Sequence, residues 1–267
     1  MNDNRRRLSQ IITTIAYNAY LTGFLSGTLY QGFLKHLPCP GLNCYSCPAA
    51  VMSCPIGSLQ LFIAYGRMHF SWYIVGCLGA IGSVAGRIAC GWACPFGFLQ
   101  DLLYKIPSKK LKLPTWLNPL RYIVLCGVIG IVALITQEPW FCKVCPAGTI
   151  EAGITMVALN TELREQIGTF FIIKLCLLLL FCIWMVLCKR PFCRVFCPLG
   201  TLYALFNRVS MLSITVDDTA CTRCSACLKS CPMDLTVYEG GPKSSQCIRC
   251  FRCTHCPSGA IRVQWFK

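Results

Sequence analysis

CGWACPFG, at residues 90–97, returns as CRVFCPLG at residues 193–200, and each stretch follows an apolar run long enough to cross a membrane. Proline suits the first turn of a helix, so both stretches predict a cysteine at a helix start, Cys94 and Cys197. The partial positive charge of a helix N-terminus favours the thiolate form of cysteine. A thiolate suits a metal ligand or a reactive thiol, so the repeat predicts metal or redox chemistry at a membrane face.

A second pair of stretches shows that the chain contains an internal repeat. CYSCPAA at residues 44–50 matches CKVCPAG at residues 142–148, and the two halves cover about 39–106 and 138–209. Repeats of this kind place equivalent residues around a pseudo-two-fold axis along the membrane normal. Two groups of cysteines are therefore predicted to converge. They are an inner set of Cys90, Cys94, Cys193 and Cys197, and an outer set of Cys44, Cys47, Cys142 and Cys145.

The C-terminal end carries the most specific motif. CTRCSACLKSCP at residues 221–232 has the spacing that wraps three thiolates around one cubane while a fourth cysteine reaches another cluster. CIRCFRCTHCP at residues 247–257 completes the pair, although the loop before Cys256 is one residue shorter than usual. A pair of zinc sites is the alternative. The crossed pattern assigns one [4Fe–4S] cluster to Cys221, Cys224, Cys227 and Cys256, and the other to Cys231, Cys247, Cys250 and Cys253.

Composition predicts an integral membrane protein. Of the 267 residues, 55% are hydrophobic and 13% are charged, and the mean hydropathy is +0.56. Four spans are predicted, at about 9–30, 71–89, 121–137 and 168–188. Shorter apolar runs at 49–64 and 146–159 fit re-entrant or interfacial helices. The predicted fold is an all-α membrane domain of about four transmembrane helices over 1–212, followed by an α+β ferredoxin domain with two [4Fe–4S] clusters over 213–267.

The net charge of +15 lies largely beside the apolar segments, where lysine and arginine set membrane orientation. Membrane topology therefore explains the charge better than nucleic-acid binding does, and no nucleic acid is expected. The orienting residues are Arg5, Arg6, Arg7, Lys105, Lys109, Lys110, Lys112, Lys189, Arg190 and Arg194. They predict a multi-pass protein of the inner (cytoplasmic) membrane with both termini in the cytoplasm. Among the C-terminal cysteines, Arg223, Lys229, Arg249 and Arg252 suit docking of an acidic electron donor, and a solvated basic surface is the alternative.

The chain resembles the membrane iron–sulfur proteins of the NosR/NapH type. The resemblance covers about residues 70–260 and rests on membrane segments followed by CGWACPFGFLQD, CRVFCPLG and a two-cluster ferredoxin motif. It implies a polyferredoxin-like protein that relays single electrons between a cytoplasmic donor or the quinone pool and a partner redox protein. It also implies an electron-transfer subunit of a membrane oxidoreductase complex, with catalysis in another subunit.

The repeated cysteines leave the number of clusters open. The inner set is predicted to hold a third [4Fe–4S] cluster, and packing within a turn is the alternative. The outer set would hold a fourth cluster or form disulfides, with Cys39 and Cys54 as alternate ligands. His36 and His69 belong to no haem motif, so no haem is expected.

Two other functions fit the same cysteines. Thiols at helix starts suit a transmembrane thiol–disulfide relay. The family resemblance also suggests a copper-reducing assembly factor. The sequence has no dinucleotide fingerprint or nucleotide-binding loop, and no catalytic residue is assigned.

Overall fold

The computed structural model describes residues 3–65 and 72–265, and most of its regular structure is helical. The α-helices are Asp3–Tyr17, Thr22–Ser26, Pro55–Tyr65, Trp72–Ala85, Ile88–Trp92, Pro95–Leu103, Leu120–Ile123, Ala133–Thr136, Trp140–Val144, Pro146–Gly148, Thr155–Leu159, Thr161–Glu165, Thr169–Leu187, Pro191–Val195, Pro198–Phe206 and Ala226–Ser230. Two π-helical segments are Val124–Val132 and Thr149–Ile154. Short 3-10 helices are Phe33–His36, Thr115–Leu117, Val237–Glu239, Gly241–Lys243 and Arg252–Thr254.

Two continuous helices are long and apolar enough to cross a membrane, Thr115–Thr136 and Thr169–Leu187. They contain 22 and 19 residues, which suits a hydrocarbon core about 30 Å thick. Only 11% of the apolar window in Thr169–Leu187 is buried within the protein, and Leu179 and Leu180 are exposed. Because water is a poor solvent for so much apolar surface, the two helices indicate a membrane protein.

The predicted span at 9–30 is not one helix. The N-terminal helix ends at Tyr17, and Thr22–Ser26 forms a separate turn of helix. Between them, the amide of Asn18 donates a hydrogen bond to the side-chain oxygen of Asn43 at 3.0 Å. The prediction of one continuous span here was wrong. Hydropathy does not detect the polar contact of Asn18 with Asn43, which lies between the two helices.

The predicted span at 71–89 is also interrupted, and its first residue lies outside the described ranges. The helix Trp72–Ala85 has 14 residues and ends at Gly86, whose φ of 57° is left-handed. Left-handed glycine is a common helix stop, so the chain turns into the short helix Ile88–Trp92. The sequence predicted four spans, whereas the described residues contain two helices of spanning length.

The two shorter apolar runs form helices close to their predicted places. Pro55–Tyr65 has 11 residues, and the continuous helix Pro146–Leu159 is likewise shorter than a membrane span. Each begins at the proline of a Cys-Pro pair. The re-entrant placement of these helices in a bilayer remains a prediction.

One antiparallel pair of strands closes the C-terminal segment. Strand β1 (Leu212–Val216) pairs with strand β2 (Ile261–Trp265), with Ile214 opposite Val263. Both cysteine runs lie in the connection between these strands, together with one α-helical turn, Ala226–Ser230. The arrangement is compatible with the predicted α+β domain, whose identity as a ferredoxin domain remains a prediction.

Buried arginines join the C-terminal segment to the helical part of the chain. Arg87 and Arg121 both donate to the carbonyl oxygen of Ser245, at 2.7 and 3.3 Å. Asn207 donates to the carbonyl of Cys247 at 2.8 Å, and Arg249 donates to the carbonyl of Asn207 at 2.7 Å. These contacts hold the second cysteine run directly against the repeated helices.

Candidate functional site

Four helices begin with the same tetrapeptide, C-P-x-G. The tetrapeptides occupy residues 54–57, 94–97, 145–148 and 197–200. In the inner pair, the amide of Gly97 donates to Cys94 Sγ at 3.4 Å, and that of Gly200 donates to Cys197 Sγ at 3.3 Å. The sequence-based prediction that Cys94 and Cys197 start helices is confirmed.

The outer pair, Cys54 and Cys145, lies in a similar electrostatic setting. Burial raises the pKa of Cys54, while the backbone N–H groups of Gly57 and Ile56 lower it. Burial likewise raises the pKa of Cys145, and the N–H of Gly148 lowers it. The sulfurs of Cys94 and Cys197 therefore accept a backbone N–H at a helix start, an arrangement that favours a thiolate ligand. Cys145 caps its helix without a side-chain hydrogen bond.

The four inner cysteines lie together in the core, and each is at most 6% exposed. Burial and then the thiolates of Cys193 and Cys90 raise the pKa of Cys94 to about 12. Burial, followed by the same two thiolates, also raises the pKa of Cys197. Such mutual repulsion requires proximity, so the structure brings together the four residues of the predicted inner set.

Two buried arginines provide positive charge beside the inner set. Arg190 Nη1 donates to the carbonyl oxygen of Cys90 at 2.8 Å, and Arg87 Nη2 donates to that of Cys193 at 3.2 Å. Burial raises the pKa of Cys193, whereas Arg190 and Arg87 lower it. The amide of Gln100 also donates to Cys193 Sγ, at 3.0 Å. The surroundings therefore suit a buried group of negative charge.

The outer cysteines surround a cavity of about 380 Å³. The cysteines that line it are Cys44, Cys54, Cys142 and Cys145. An added Cβ at Gly57 would lie 3.5 Å from Cys142 Sγ, and one at Gly148 would lie 3.5 Å from Cys44 Sγ. The two glycines therefore leave room beside the sulfur atoms, and the cavity has ample space for a cubane.

Cys47, which was predicted for the outer set, does not line this cavity. It packs in a small core with Ala49 and Ala50, against which Cys44 also packs. Its tetrapeptide is CPAA and begins no helix, whereas CPIG at 54–57 begins Pro55–Tyr65. The glycine in the fourth position is the sequence signal that would have identified Cys54. The lining of the cavity favours Cys54, one of the two alternate outer ligands, over Cys47.

A two-residue connection links the outer and inner sets. Leu42 N–H donates to Cys94 Sγ at 3.4 Å, and Cys44, two residues later, lines the outer cavity. Two residues span at most about 7 Å. Cys39 is fully buried on the same segment, and burial raises its pKa well above the ordinary value, with Cys94 and Cys54 adding to that rise. Cys39 therefore lies between the two sets and does not line the outer cavity.

One of the two C-terminal sets is compact. Cys231, Cys247, Cys250 and Cys253 line a single small cavity of about 20 Å³. Burial and then the thiolates of Cys250 and Cys231 raise the pKa of Cys247 to about 12. The crossed ferredoxin pattern groups these same four cysteines.

The other C-terminal set is more open. Cys227 and Cys256 pack against the core formed by Leu212, Ile214 and neighbouring residues, whereas Cys224 is exposed. Cys221 is half-buried. Ser258 lowers the pKa of Cys256 by a hydrogen bond at 3.3 Å. The assignment of Cys256 to this set remains a prediction.

The two cysteine runs share an unusual backbone pattern. Arg223 and Ser225 have φ values of 52° and 59°, and the equivalent Arg249 and Phe251 have φ values of 48° and 58°. Left-handed backbone is unfavourable for residues other than glycine by about 1–2 kcal/mol each. Strain of this kind is concentrated at functional sites, so both loops are shaped for a common purpose.

The predicted docking role of the C-terminal basic residues needs correction. Arg249 is buried and bonds to the carbonyls of Leu212 and Asn207. Arg252 forms an ion pair with Asp3 at 2.8 Å. Both guanidinium groups therefore hold the fold together, while Lys229 and Arg223 remain exposed.

The second cysteine run directly contacts the inner set. A Cβ added to Gly91 would lie 2.5 Å from the carbonyl oxygen of Ile248 and 3.5 Å from Cys250 Cα. Gly91 follows the inner cysteine Cys90, so only glycine permits this approach. Arg190 lies close enough to interact with both sets. Burial lowers the pKa of Arg190, whereas Asp101 and then the thiolates of Cys193 and Cys250 raise it.

Within the described ranges, no three His, Cys, Asp or Glu side chains form a group that could hold a metal ion. A cubane sets a different requirement from a single ion, because each cysteine binds its own iron atom. All 23 cysteines are free thiols. His69, one of the two histidines considered for haem, lies outside the described residues.

Comparison with protein families identifies a match to the 4Fe-4S binding domain, over residues 68–114, 117–158 and 169–213. The matched segments include the four inner cysteines and stop before the two C-terminal runs. The chain is similar to an uncharacterized protein of Methanocaldococcus jannaschii, with 31% identity over 79% of this chain and 86% of that protein.

Two further relatives have more informative descriptions. The methylamine utilization ferredoxin-type protein MauN of Methylobacillus flagellatus is 28% identical over 55% of this chain and 48% of its own. The regulatory protein NosR of Pseudomonas aeruginosa is 26% identical over 62% of this chain and 23% of its own. No solved structure gives a significant match.

Proposed function

The chain belongs to the 4Fe–4S binding domain family with the NosR-type iron–sulfur proteins, and from this premise we propose that it is a membrane electron-transfer protein with four [4Fe–4S] clusters. The ligand sets, in order from the outer side, are Cys44, Cys54, Cys142 and Cys145; Cys90, Cys94, Cys193 and Cys197; Cys231, Cys247, Cys250 and Cys253; and Cys221, Cys224, Cys227 and Cys256.

The continuity of the cysteine sets carries this proposal. The outer set joins the inner set through Leu42, and the inner set meets the compact C-terminal set at Gly91. Electron transfer weakens steeply with distance, so redox centres must be close to one another. The two links join three of the four sets, and the open C-terminal set would extend the path, since Cys227 and Cys256 pack against the same core as Cys247 and Cys253.

Iron–sulfur clusters would supply one-electron redox chemistry at these sites. The chain supplies the ligands, the backbone N–H groups at helix starts and the buried guanidinium groups. Arg87, Arg121 and Arg249 form no carboxylate ion pair among the described residues. Their charge would offset the negative charge of thiolate-bound clusters, since an unpaired buried charge is costly.

The direction and partners belong to the same proposal. Single electrons would pass between a cytoplasmic donor or the quinone pool and a partner redox protein across the inner membrane. Asp3 pairs with Arg252, which supports both terminal segments lying on one side, the cytoplasmic side by the charge pattern. We assign no catalytic residue, so chemistry on a substrate would belong to another subunit of an oxidoreductase complex.

Thiol acidity favours clusters over a thiol–disulfide relay in the outer set. Burial is the main cause that raises the pKa of Cys44 and of Cys142, each to about 12. The thiolate is the nucleophile in disulfide exchange, so neutral buried thiols exchange slowly. Iron binding stabilises the thiolate form in such a site.

Iron analysis tests the proposal directly. The anaerobically purified full-length chain is expected to contain about 16 iron atoms and about 16 sulfide ions, because each cubane carries four of each. Replacing Cys193 by serine is expected to reduce iron to about 12. Cys176→Ser provides the matched control, because Cys176 lies on the exposed surface of a long helix. A wild-type content near eight would remove the inner and outer clusters from the proposal.

Gly91→Ala should slow electron transfer between the inner set and the C-terminal clusters. The added methyl group must displace the carbonyl oxygen of Ile248, next to the run that carries Cys250, which increases the separation of the two sets. Stopped-flow reduction and the magnetic coupling seen by electron paramagnetic resonance measure this change. Gly79→Ala is the control, because its added Cβ meets no atom within 4 Å. Equal behaviour of the two variants would show that electrons take another route.

A further inference from the structure

A basic cavity of about 180 Å³ lies where the N-terminal helix, the helix Pro95–Leu103 and the C-terminal segment meet. It shares Cys231 and Pro232 with the small cavity of the compact C-terminal set and shares no lining residue with the outer cavity. Its cationic lining residues are Arg7, Lys105, Lys189, Arg190, Lys229 and Arg252. Asp101 is the one carboxylate among the residues that line it.

Not all of this positive charge is neutralised within the protein. Asp101 pairs with Arg190 and Arg6, and Asp3 pairs with Arg7 and Arg252. Asp234 pairs with Lys189. By contrast, Lys105 and Lys229 form no ion pair with any residue in the described ranges. The cavity therefore keeps an excess positive charge on two sides.

Gln10 is a buried polar residue in the lining of the cavity. Its side chain lines the cavity and is 0% exposed, yet neither polar atom of its carboxamide has a hydrogen-bond partner among the described residues. Leaving a buried polar group without a partner costs about 1–3 kcal/mol, so native proteins usually satisfy such groups. A ligand that accepts one hydrogen bond and donates another would satisfy both atoms.

We infer that this cavity binds a phosphoryl group with a neighbouring hydroxyl. Its oxygens would accept from Gln10 and from Lys105 and Lys229, and the hydroxyl would donate to the Gln10 oxygen. The volume suits one headgroup or one phosphate ion and is too small for a protein segment. Both a phosphatidylglycerol headgroup and free phosphate carry this chemistry.

The surface beside the cavity suits a lipid. Leu102 lines the cavity and is 49% exposed, and the neighbouring Ile106 is 47% exposed. An acyl chain could cover these side chains while its headgroup enters the cavity. Basic pockets at the cytoplasmic ends of membrane helices commonly bind anionic lipid headgroups. Cys231 of the compact set also lines the cavity, but the proposed contacts are Gln10, Lys105 and Lys229, and none of these is a proposed cluster ligand.

Native mass spectrometry of the delipidated, cluster-loaded protein tests the inference. The probes are phosphatidylglycerol, inorganic phosphate and, as a zwitterionic control, phosphatidylcholine. The wild type is expected to bind one phosphatidylglycerol or one phosphate, and the double variant K105Q/K229Q to bind about 25-fold more weakly, about fivefold for each cation removed. The control K112Q/K243Q removes two exposed lysines outside the cavity and should bind like the wild type.

Gln10→Leu separates ligand binding from a structural role. Removing an unsatisfied buried amide should leave the melting temperature of the unliganded protein equal or higher, while the stabilisation by added ligand is lost. Phosphate that competes with the lipid identifies free phosphate as sufficient, and lipid binding without phosphate binding identifies the headgroup. The inference is overturned if neither probe binds, or if K112Q/K243Q weakens binding as much as K105Q/K229Q. Binding of acidic protein alone would overturn it equally.

Discussion

Replacing Cys54 by serine is expected to remove about four iron atoms from each chain, whereas replacing Cys47 should leave the iron content unchanged. Both residues precede proline in the same outer segment, so the pair forms a closely matched comparison. The prediction separates the cavity seen in the structure from the simple CxxC pattern of the sequence.

The geometry explains the difference between the two cysteines. Cys54 starts the helix Pro55–Tyr65 and lines the outer cavity with Cys142 and Cys145. Cys47 packs against Ala49 and Ala50, and burial raises its pKa. A cubane that loses one thiolate ligand is expected to be lost or to become labile, because oxygen from serine is a harder, weaker ligand for iron in this setting.

Iron and sulfide analysis should be combined with electron paramagnetic resonance of the reduced protein. Cys54→Ser is expected to lose one set of signals and retain those of the other three clusters. Loss of iron in Cys47→Ser but not in Cys54→Ser would restore the CxxC ligand set. Full iron in both variants would mean that the outer cavity holds no cluster.

The Cys-Pro pairs show how far sequence reasoning reaches. Cys94 and Cys197 were predicted at helix starts because proline at the first helical position is a local signal. The choice between Cys47 and Cys54 depends on which Cys-Pro pair continues as a helix. The sequence does contain that information, since CPIG shares its glycine with the other three helix starts and CPAA does not.

Other features depended on contacts distant in sequence. Arg121 lies at the start of a predicted span, where a basic residue suggests only orientation. In the structure it is buried and donates to Ser245, which is 124 residues away. Likewise, the charge pattern marks Arg6 and Arg190 as orienting residues, although both side chains are buried against Asp101. Neither hydropathy nor local residue spacing can predict ion pairs and hydrogen bonds between residues so distant in sequence.

These arginines also explain why the inner site and the C-terminal segment form one unit. Arg190 bonds to the carbonyl of Cys90, and Arg6 bonds to that of Gly91, at 2.8 and 3.3 Å. Asp101 holds both guanidinium groups. Through these two arginines, Asp101 positions the backbone of Cys90, an inner ligand, and of Gly91, which contacts Cys250.

Asp101→Asn is accordingly expected to destabilise the protein by about 3–5 kcal/mol, because it leaves the buried Arg190 without a charge partner and leaves the buried Arg6 with Asp3 alone. The carboxylate accepts from Arg190 Nε at 2.7 Å and Nη2 at 2.6 Å, and from Arg6 Nη1 at 2.8 Å. The amide keeps the shape of the side chain but supplies neither the charge nor a second acceptor oxygen. Thermal unfolding should show the loss, and Asp218→Asn, at an exposed site, should leave the melting temperature unchanged.

The pH dependence gives this prediction a second readout. Burial raises the pKa of Asp101, but Arg190 and Arg6 lower it by a larger amount. The pKa of Asp101 in the folded protein therefore lies well below its ordinary value. A carboxyl group with a lowered folded pKa stabilises the protein above its unfolded pKa of about 3.9 and loses that contribution as the pH falls below it. The difference in stability between wild type and Asp101→Asn should therefore be constant from about pH 5 to pH 8. A difference that shrinks within this interval would mean that Asp101 is not held as a carboxylate by the two arginines, and the ion pair would no longer explain how the inner site is positioned.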